Sequence, residues 1–277
     1  MSVLLHLSDT HFGTERPQVI EALLALAARE RPELAVLSGD ITQRARPAQF
    51  RAAKAFVERL GAPVLAVPGN HDIALFDLWA RALRPYARYA SAFGADLEPV
   101  YASRDLLVVG VNTTRAWRHK EGDVSPLQIA RVAALLRKAR PQQLRVVVVH
   151  QPAAVCRPED RRHLLRGHHA ALRAWSAAGA DLVLGGHIHL PYTLAPPGLA
   201  RRLWVVQAGT AVSARTRPGV PNSVNIVRWG GRAGGHGACP PGEDKGRGDC
   251  VIERWDYAPD ARVFVRAATT PLALERA

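Results

Sequence analysis

The residues best able to do chemistry in this chain come in short clusters, each directly after an apolar run. Leu4–Ser8 leads into Asp9-Thr10-His11, Leu34–Ser38 into Gly39-Asp40, and Pro63–Val67 into Pro68-Gly69-Asn70-His71-Asp72. Further on, Leu144–Val149 delivers His150-Gln151, and Asp181–Leu184 delivers Gly185-Gly186-His187-Ile188-His189. In extended chain, positions i and i+2 point to the same side, so Asp9 and His11 can offer a carboxylate oxygen and an imidazole nitrogen to one point. That donor mix suits a cation such as Mn, Fe or Zn. A lone Asp-x-His pair is more often a solvated turn. The weight lies in the repetition.

The elements that must position these clusters alternate. Helical rhythm is expected over Pro17–Glu30, Pro47–Leu60, Asp77–Phe93, Pro126–Ala139 and Asp160–Ala178, between apolar strands that include Leu106–Val111. Within Asp77–Phe93, Trp79, Leu83, Tyr86 and Tyr89 read as packing residues. Strands separated by helices run parallel, and their C-terminal ends share one edge, where α/β sites are built. From Pro191 the helical rhythm stops. Short strands at Tyr192–Ala195, Leu203–Gln207, Ser223–Trp229, Cys250–Tyr257 and Arg262–Ala268 suggest a second, largely antiparallel sheet. Residues 230–248 are rich in Gly, Pro and charge and read as a mobile loop. The expectation is an α/β chain, a two-sheet β-sandwich flanked by helices, forming a single domain over residues 1–277.

Composition narrows the class. With 277 residues, 48% hydrophobic and 22% charged, the chain has ample material for a core. No apolar stretch approaches the roughly 20 residues that span a bilayer, and no signal segment precedes Asp9, so no membrane partner and a cytoplasmic location are expected. Three cysteines, Cys156, Cys239 and Cys250, are too few for a disulfide framework; Cys239 and Cys250 flank the Gly/Pro-rich loop, and free thiols are the expectation. The net charge of +13 would suit nucleic acid or small anionic substrates. The arginines are scattered and form no basic tract, so a nucleic-acid partner is not favoured.

Taken in order, the blocks D-x-H, G-D, G-N-H-D, a single His after a Val-rich strand, and G-H-x-H resemble the calcineurin-like metallophosphoesterases, from Leu4 to about His189. The resemblance implies a four-layer αββα fold and a two-metal site. Asp9, His11 and His189 would bind the first ion and Asn70, His150 and His187 the second, with Asp40 and a hydroxide bridging both. Two such ions, of Mn, Fe, Co or Zn, lower the pKa of bridging water and neutralise phosphate oxygens for in-line attack. His71 would be the general acid. Asp72 either orients His71 or caps a helix beginning near Ile73. His6, His119, His163, His168, His169 and His236 match no motif position and read as ordinary polar residues.

Within that family, Gly209–Arg217 followed by Asn222-Ser223-Val224-Asn225, with the opening His-Leu-Ser-Asp-x-His and the Asn112-Thr113 strand end, resembles the bacterial class III cyclic-nucleotide phosphodiesterases. Two features depart from the pattern: Gln151 stands where relatives often carry a second His, and residues 230–248 look like an insertion. The expected activity is hydrolysis of small phosphodiesters, cyclic nucleotides among them, with Arg115 or Arg217 contacting the substrate phosphate. A nuclease is the second reading and a non-catalytic binding scaffold the third. A homodimer is left open.

Overall fold

The computed structural model of the chain describes residues 1–75, 77–230 and 250–275. Its elements follow in the order β1 (Ser2–Leu7), α1 (Pro17–Glu30), β2 (Leu34–Ser38), α2 (Pro47–Arg59), β3 (Val64–Val67), α3 (Leu78–Leu83), α4 (Ala87–Phe93), β4 (Val100–Ala102) and β5 (Leu106–Gly110). The chain continues through α5 (Pro126–Arg137), β6 (Leu144–Val148), α6 (His168–Ala177), β7 (Leu182–Gly185), β8 (Tyr192–Leu194), β9 (Trp204–Gln207), β10 (Ser223–Trp229), β11 (Cys250–Ala258) and β12 (Val263–Leu272).

These strands form two six-stranded sheets, ordered β12-β11-β10-β1-β2-β3 and β4-β5-β6-β7-β9-β8. In the first, β1, β2 and β3 are parallel and β10–β12 run antiparallel. In the second, β5, β6, β7 and β9 are parallel, with β4 and β8 as antiparallel edges. Leu4, Val36 and Leu65 from one sheet and Val108, Val146 and Leu184 from the other share one apolar cluster, so the sheets pack face to face. Helices α1 and α2 cover the outer face of the first sheet through Leu23, Leu26, Phe50 and Phe56. Helices α5 and α6 cover the second through Val132, Leu136, Leu172 and Trp175. The result is the four-layer αββα sandwich. Strands buried on both faces explain why the parallel ones read as unbroken apolar runs.

Proline sets the helix starts. Pro17, Pro47 and Pro126 open α1, α2 and α5, where a missing N–H costs nothing. Pro271 lies on β12, the outermost strand, where no ladder bond is lost on the open side.

Two expected helices are broken. Asp77–Phe93 divides into α3 and α4 around Pro85, and Trp79 and Leu83 end up 79% and 72% exposed instead of packed, while Tyr89 is buried. Asp160–Ala178 divides into a 3-10 turn at Pro158–His163 and helix α6, separated by Gly167 in the left-handed region at φ 84°. No helix begins at Ile73; α3 starts at Leu78, capped by Asp77 through the Ala80 N–H. Beyond residue 230 the Gly/Pro-rich loop lies outside the described residues, as does any pairing of Cys239 with Cys250. Among the described residues no helix is long and apolar enough to cross a membrane.

Candidate metal centre

The turns after β1, β2 and β3 and those after β6 and β7 meet at the parallel-strand C-terminal edge. Hydrogen bonds continue past the strands: Asp9 N–H donates to Gly39 O (3.1 Å) and His11 N–H to Asp40 O (3.0 Å). The sheets are joined directly by the His187 N–H, which donates to Asp9 Oδ2 at 2.9 Å. Asp9, His11, Asp40, His187 and His189 all have φ between 41° and 74°, a region non-glycine residues rarely occupy. Strain of that kind, about 1–3 kcal/mol per residue, concentrates where side chains are held for function. Gly69 packs against the Asp40 backbone and carboxylate, and Gly186 against Ser8 and Asp9; a Cβ at either would collide.

Two triads result. Asp9, His11 and His189 form one, and Asp40, His150 and His187 the other, with one potential ligand atom from each residue within 4.8 Å of its partners. Asp40 also reaches the first triad, its Oδ2 lying 3.8 Å from His11 Nε2. Asn70 Oδ1 lies 3.3 Å from His150 Nε2. All seven residues expected as ligands are therefore brought together.

Hydrogen bonds behind the ring nitrogens aim the opposite nitrogens inward. His150 Nδ1–H donates to Ser38 O (2.8 Å), leaving Nε2 at 3.2 Å from Asp40 Oδ1. His189 Nδ1–H donates to Arg215 O (2.6 Å), leaving Nε2 at 3.3 Å from Asp9 Oδ1. Asp9 Oδ1 and His187 Nδ1 are buried with no hydrogen-bond partner among the described residues. Buried polar atoms are costly to leave unpaired, and here they border a point surrounded by imidazole and carboxylate. This donor set, free of thiolate, fits divalent metals of the first transition row.

The electrostatics divide the rings into two kinds. Burial pushes His187 down to about 3, with the charge on His150 adding to the effect, and burial also lowers His11. Both rings are thus neutral, as ligands must be. For His150, burial opposes the proton, yet the Asp40 carboxylate outweighs it and holds the ring up at about 9. Asp40 itself is driven well below the carboxylate range: burial resists, and the facing His150 and His71 prevail.

His71 stands at the rim. Its N–H donates to Asp40 Oδ1 (2.8 Å), its Nδ1–H donates to Gln43 O (2.8 Å), and its ring lies 4.9 Å from that of His11. Asp72 has neither expected role. It is buried and accepts from the N–H groups of Gly69 (2.8 Å), Ile41 (3.0 Å) and Thr42 (2.8 Å), tying the β3 turn to the β2 turn. Burial and the nearby Asp40 raise its carboxyl to about 6, against the pull of those three donors.

Of the two arginines expected at the phosphate, Arg115 is committed to Asn112 O, Thr114 O and Gln128. Arg217 reaches a cavity of about 610 Å³ beside His187 and His189, paired there with Asp160 at 2.9 Å. The arginine nearest His71 is Arg215, whose Nη1 lies 3.3 Å from His71 Nε2 and 2.9 Å from Gln43 Oε1. His163 is a second surprise: its Nδ1 is 3.2 Å from His187 Nε2. Neither residue carries a spacing signal, and only the fold brings them to the site. Gln151 is buried, holding Thr113 Oγ1 at 2.6 Å.

The chain belongs to the calcineurin-like phosphoesterase family, whose model matches residues 2–191. Among curated proteins it is 36% identical over 83 residues to the glycerophosphodiester phosphodiesterase GpdQ of Enterobacter lignolyticus, covering 25% of this chain and 29% of that protein. It is 27% identical over 205 residues to the cAMP/cGMP dual specificity phosphodiesterase MT0825 of Mycobacterium tuberculosis, covering 68% of this chain and 61% of that one. The matches thus span under two thirds of both relatives. A dimetal phosphatase from Danio rerio superposes over 99% of both chains with a TM-score of 0.65 at 14% identity, a likeness of fold.

Proposed function

We propose that this protein is a dinuclear metal-dependent phosphodiesterase acting on small phosphodiesters, a class that includes the cyclic nucleotides named for its relatives. The observation that carries the reading is the pair of largely buried triads, with Asp40 of one lying 3.8 Å from His11 of the other. Asp9, His11 and His189 would hold one ion, Asn70, His150 and His187 the other, and Asp40 both. Bound there, the ions supply activated water and neutralise phosphate charge. The rest is done by the chain. The backbone turns fix the ligands before substrate arrives, so little reorganisation is needed during reaction. His71, oriented by Gln43 O and its own N–H bond to Asp40, gives a proton to the leaving oxygen, typically worth about 10² to 10⁴ in rate. Water attacks phosphorus, the P–O bond to the leaving group breaks, and a monoester and an alcohol result.

The test is a substrate panel on Mn-reconstituted protein: 2′,3′- and 3′,5′-cyclic nucleotides, bis(p-nitrophenyl) phosphate, phosphomonoesters and DNA. Diester hydrolysis that a chelator stops is the expected result. Turnover indifferent to chelation, or confined to monoesters, would refute the reading. The charge of +13 favours one rival, a nuclease. That rival requires DNA cleavage with a steep salt dependence.

A further inference from the structure

The two cavities beside the candidate metal centre differ in their acidic lining: the one next to His187 holds Glu159 and Asp160 among Arg162, Arg215 and Arg217. On the His187 side, Arg217 is neutralised by Asp160 at 2.9 Å and faces Glu159 at 4.0 Å. On the His71 side a second cavity, about 260 Å³, is lined by Asn70, His71, Arg44, His119, Lys120 and Arg215, and none of the described residues lining it is acidic. The charges acting on His119 agree: its proton affinity is lowered first by burial and then by the neighbouring cations Lys120 and Arg81. A concave surface with several positive groups and no carboxylate concentrates anions. Yet the phosphate under attack would need none of this charge, because two ions held by Asp9, His11, Asp40, Asn70, His150, His187 and His189 would neutralise it.

The position of this cavity gives the surplus a meaning, one that rests on the phosphodiesterase reading with His71 as acid. The group that receives the His71 proton is the leaving oxygen, so whatever that oxygen is attached to lies on the His71 side. We infer that the cavity accepts a leaving alcohol carrying a phosphate of its own, and that linear diesters of this kind are the preferred substrates. Water adds to the central phosphorus and the bond to the leaving oxygen breaks. That oxygen takes the His71 proton and departs as a phosphate-bearing alcohol. Arg215, 3.3 Å from His71 Nε2, stands between the reacting phosphate and the second one. Arg44 and Lys120 are exposed and reach the second phosphate from the rim. At about 260 Å³ the cavity is on the scale of a single phosphate-bearing alcohol no larger than one nucleotide, not of a strand. Cyclic nucleotides rank lower, since their leaving oxygen sits on an uncharged sugar.

The dinucleotides pApA and ApA test this, differing only in the terminal 5′-phosphate of the leaving nucleotide when the P–O3′ bond breaks. With Mn-loaded full-length protein, kcat/KM should be about tenfold or more higher for pApA than for ApA and 3′,5′-cyclic AMP. The products should be two molecules of 5′-AMP. The double variant Arg44→Ala, Lys120→Ala should bring the pApA/ApA ratio down about tenfold. Equal rates, scission at the other ester bond, a ratio indifferent to the variant, or faster cleavage of cyclic AMP or a long oligoadenylate would overturn the inference alone. So would turnover of bis(p-nitrophenyl) phosphate with neither dinucleotide cleaved. Inactivity toward every diester would overturn both this inference and the reading beneath it.

Discussion

Two buried carboxylate environments in this molecule differ sharply. On β11, Glu253 is 4% exposed and fully engaged: Arg228 at 3.0 Å, Arg266 at 3.1 Å and the Trp255 indole at 3.1 Å, with Glu30 holding the other side of Arg228 at 2.6 Å. At the strand-end edge, Asp9 is equally buried, yet its Oδ1 has no hydrogen-bond donor among the described residues. A buried acid surrounded by donors serves stability. One left short of them on a strained backbone is held ready for something that arrives later.

Removing Asp40 should break the contrast most severely. Asp40→Ala is expected to lose both metals and on the order of 10³-fold or more in turnover, read by metal analysis beside steady-state rates. Near-normal activity would show that the shared carboxylate is not shared. Next, His71→Ala should keep both metals and lose about 10² to 10⁴ in rate. The deficit should shrink for a nitrophenolate leaving group, and a uniform deficit would exclude a proton-donor role.

A milder perturbation comes from pH. His150 is held at about 9 by Asp40 against burial, so at pH 7.5 the metal-free ring carries a proton that a metal must expel. The sign follows: in the metal-free chain this pairing stabilises fully below the ordinary histidine value of 6.5 and fades as pH climbs through about 9. Metal affinity should therefore gain about tenfold per pH unit up to that point, with proton release visible by calorimetry in buffers of different ionisation enthalpy. A pH-independent affinity would contradict the pairing. The smallest effect is expected on the other side of the comparison. Glu253→Gln should cost about 1–2 kcal/mol in urea unfolding and leave turnover intact.

Much of the site is legible in the sequence because parallel strands place their C-terminal ends on one edge, so order along the chain becomes proximity in space. That suffices to gather Asp9, His11, Asp40, Asn70, His150, His187 and His189. The helix starts are equally readable from Pro17, Pro47 and Pro126. The features that periodicity misses have local causes. Pro85 cuts one apolar stripe, so Trp79 turns to solvent, and Gly167 cuts another, leaving His163 in a short turn beside His187. His163 and Arg215 sit in no periodic pattern, and their value comes from loops that return across the sandwich. Asp72 misleads because a carboxylate before an apolar stretch looks like a cap, whereas here it binds three main-chain N–H groups from two turns.

The glycine at 186 lets main chain from one sheet lie directly against the side chains of Ser8 and Asp9 of the other, with no side chain of its own in the way. At this edge the distance between the two halves is thus fixed by that close approach and one N–H bond to a carboxylate, whereas deeper in the sandwich aliphatic groups fill the interior. Reshuffling Leu, Val and Ile between the sheets should move the melting temperature while the spacing of the two cation positions stays constant.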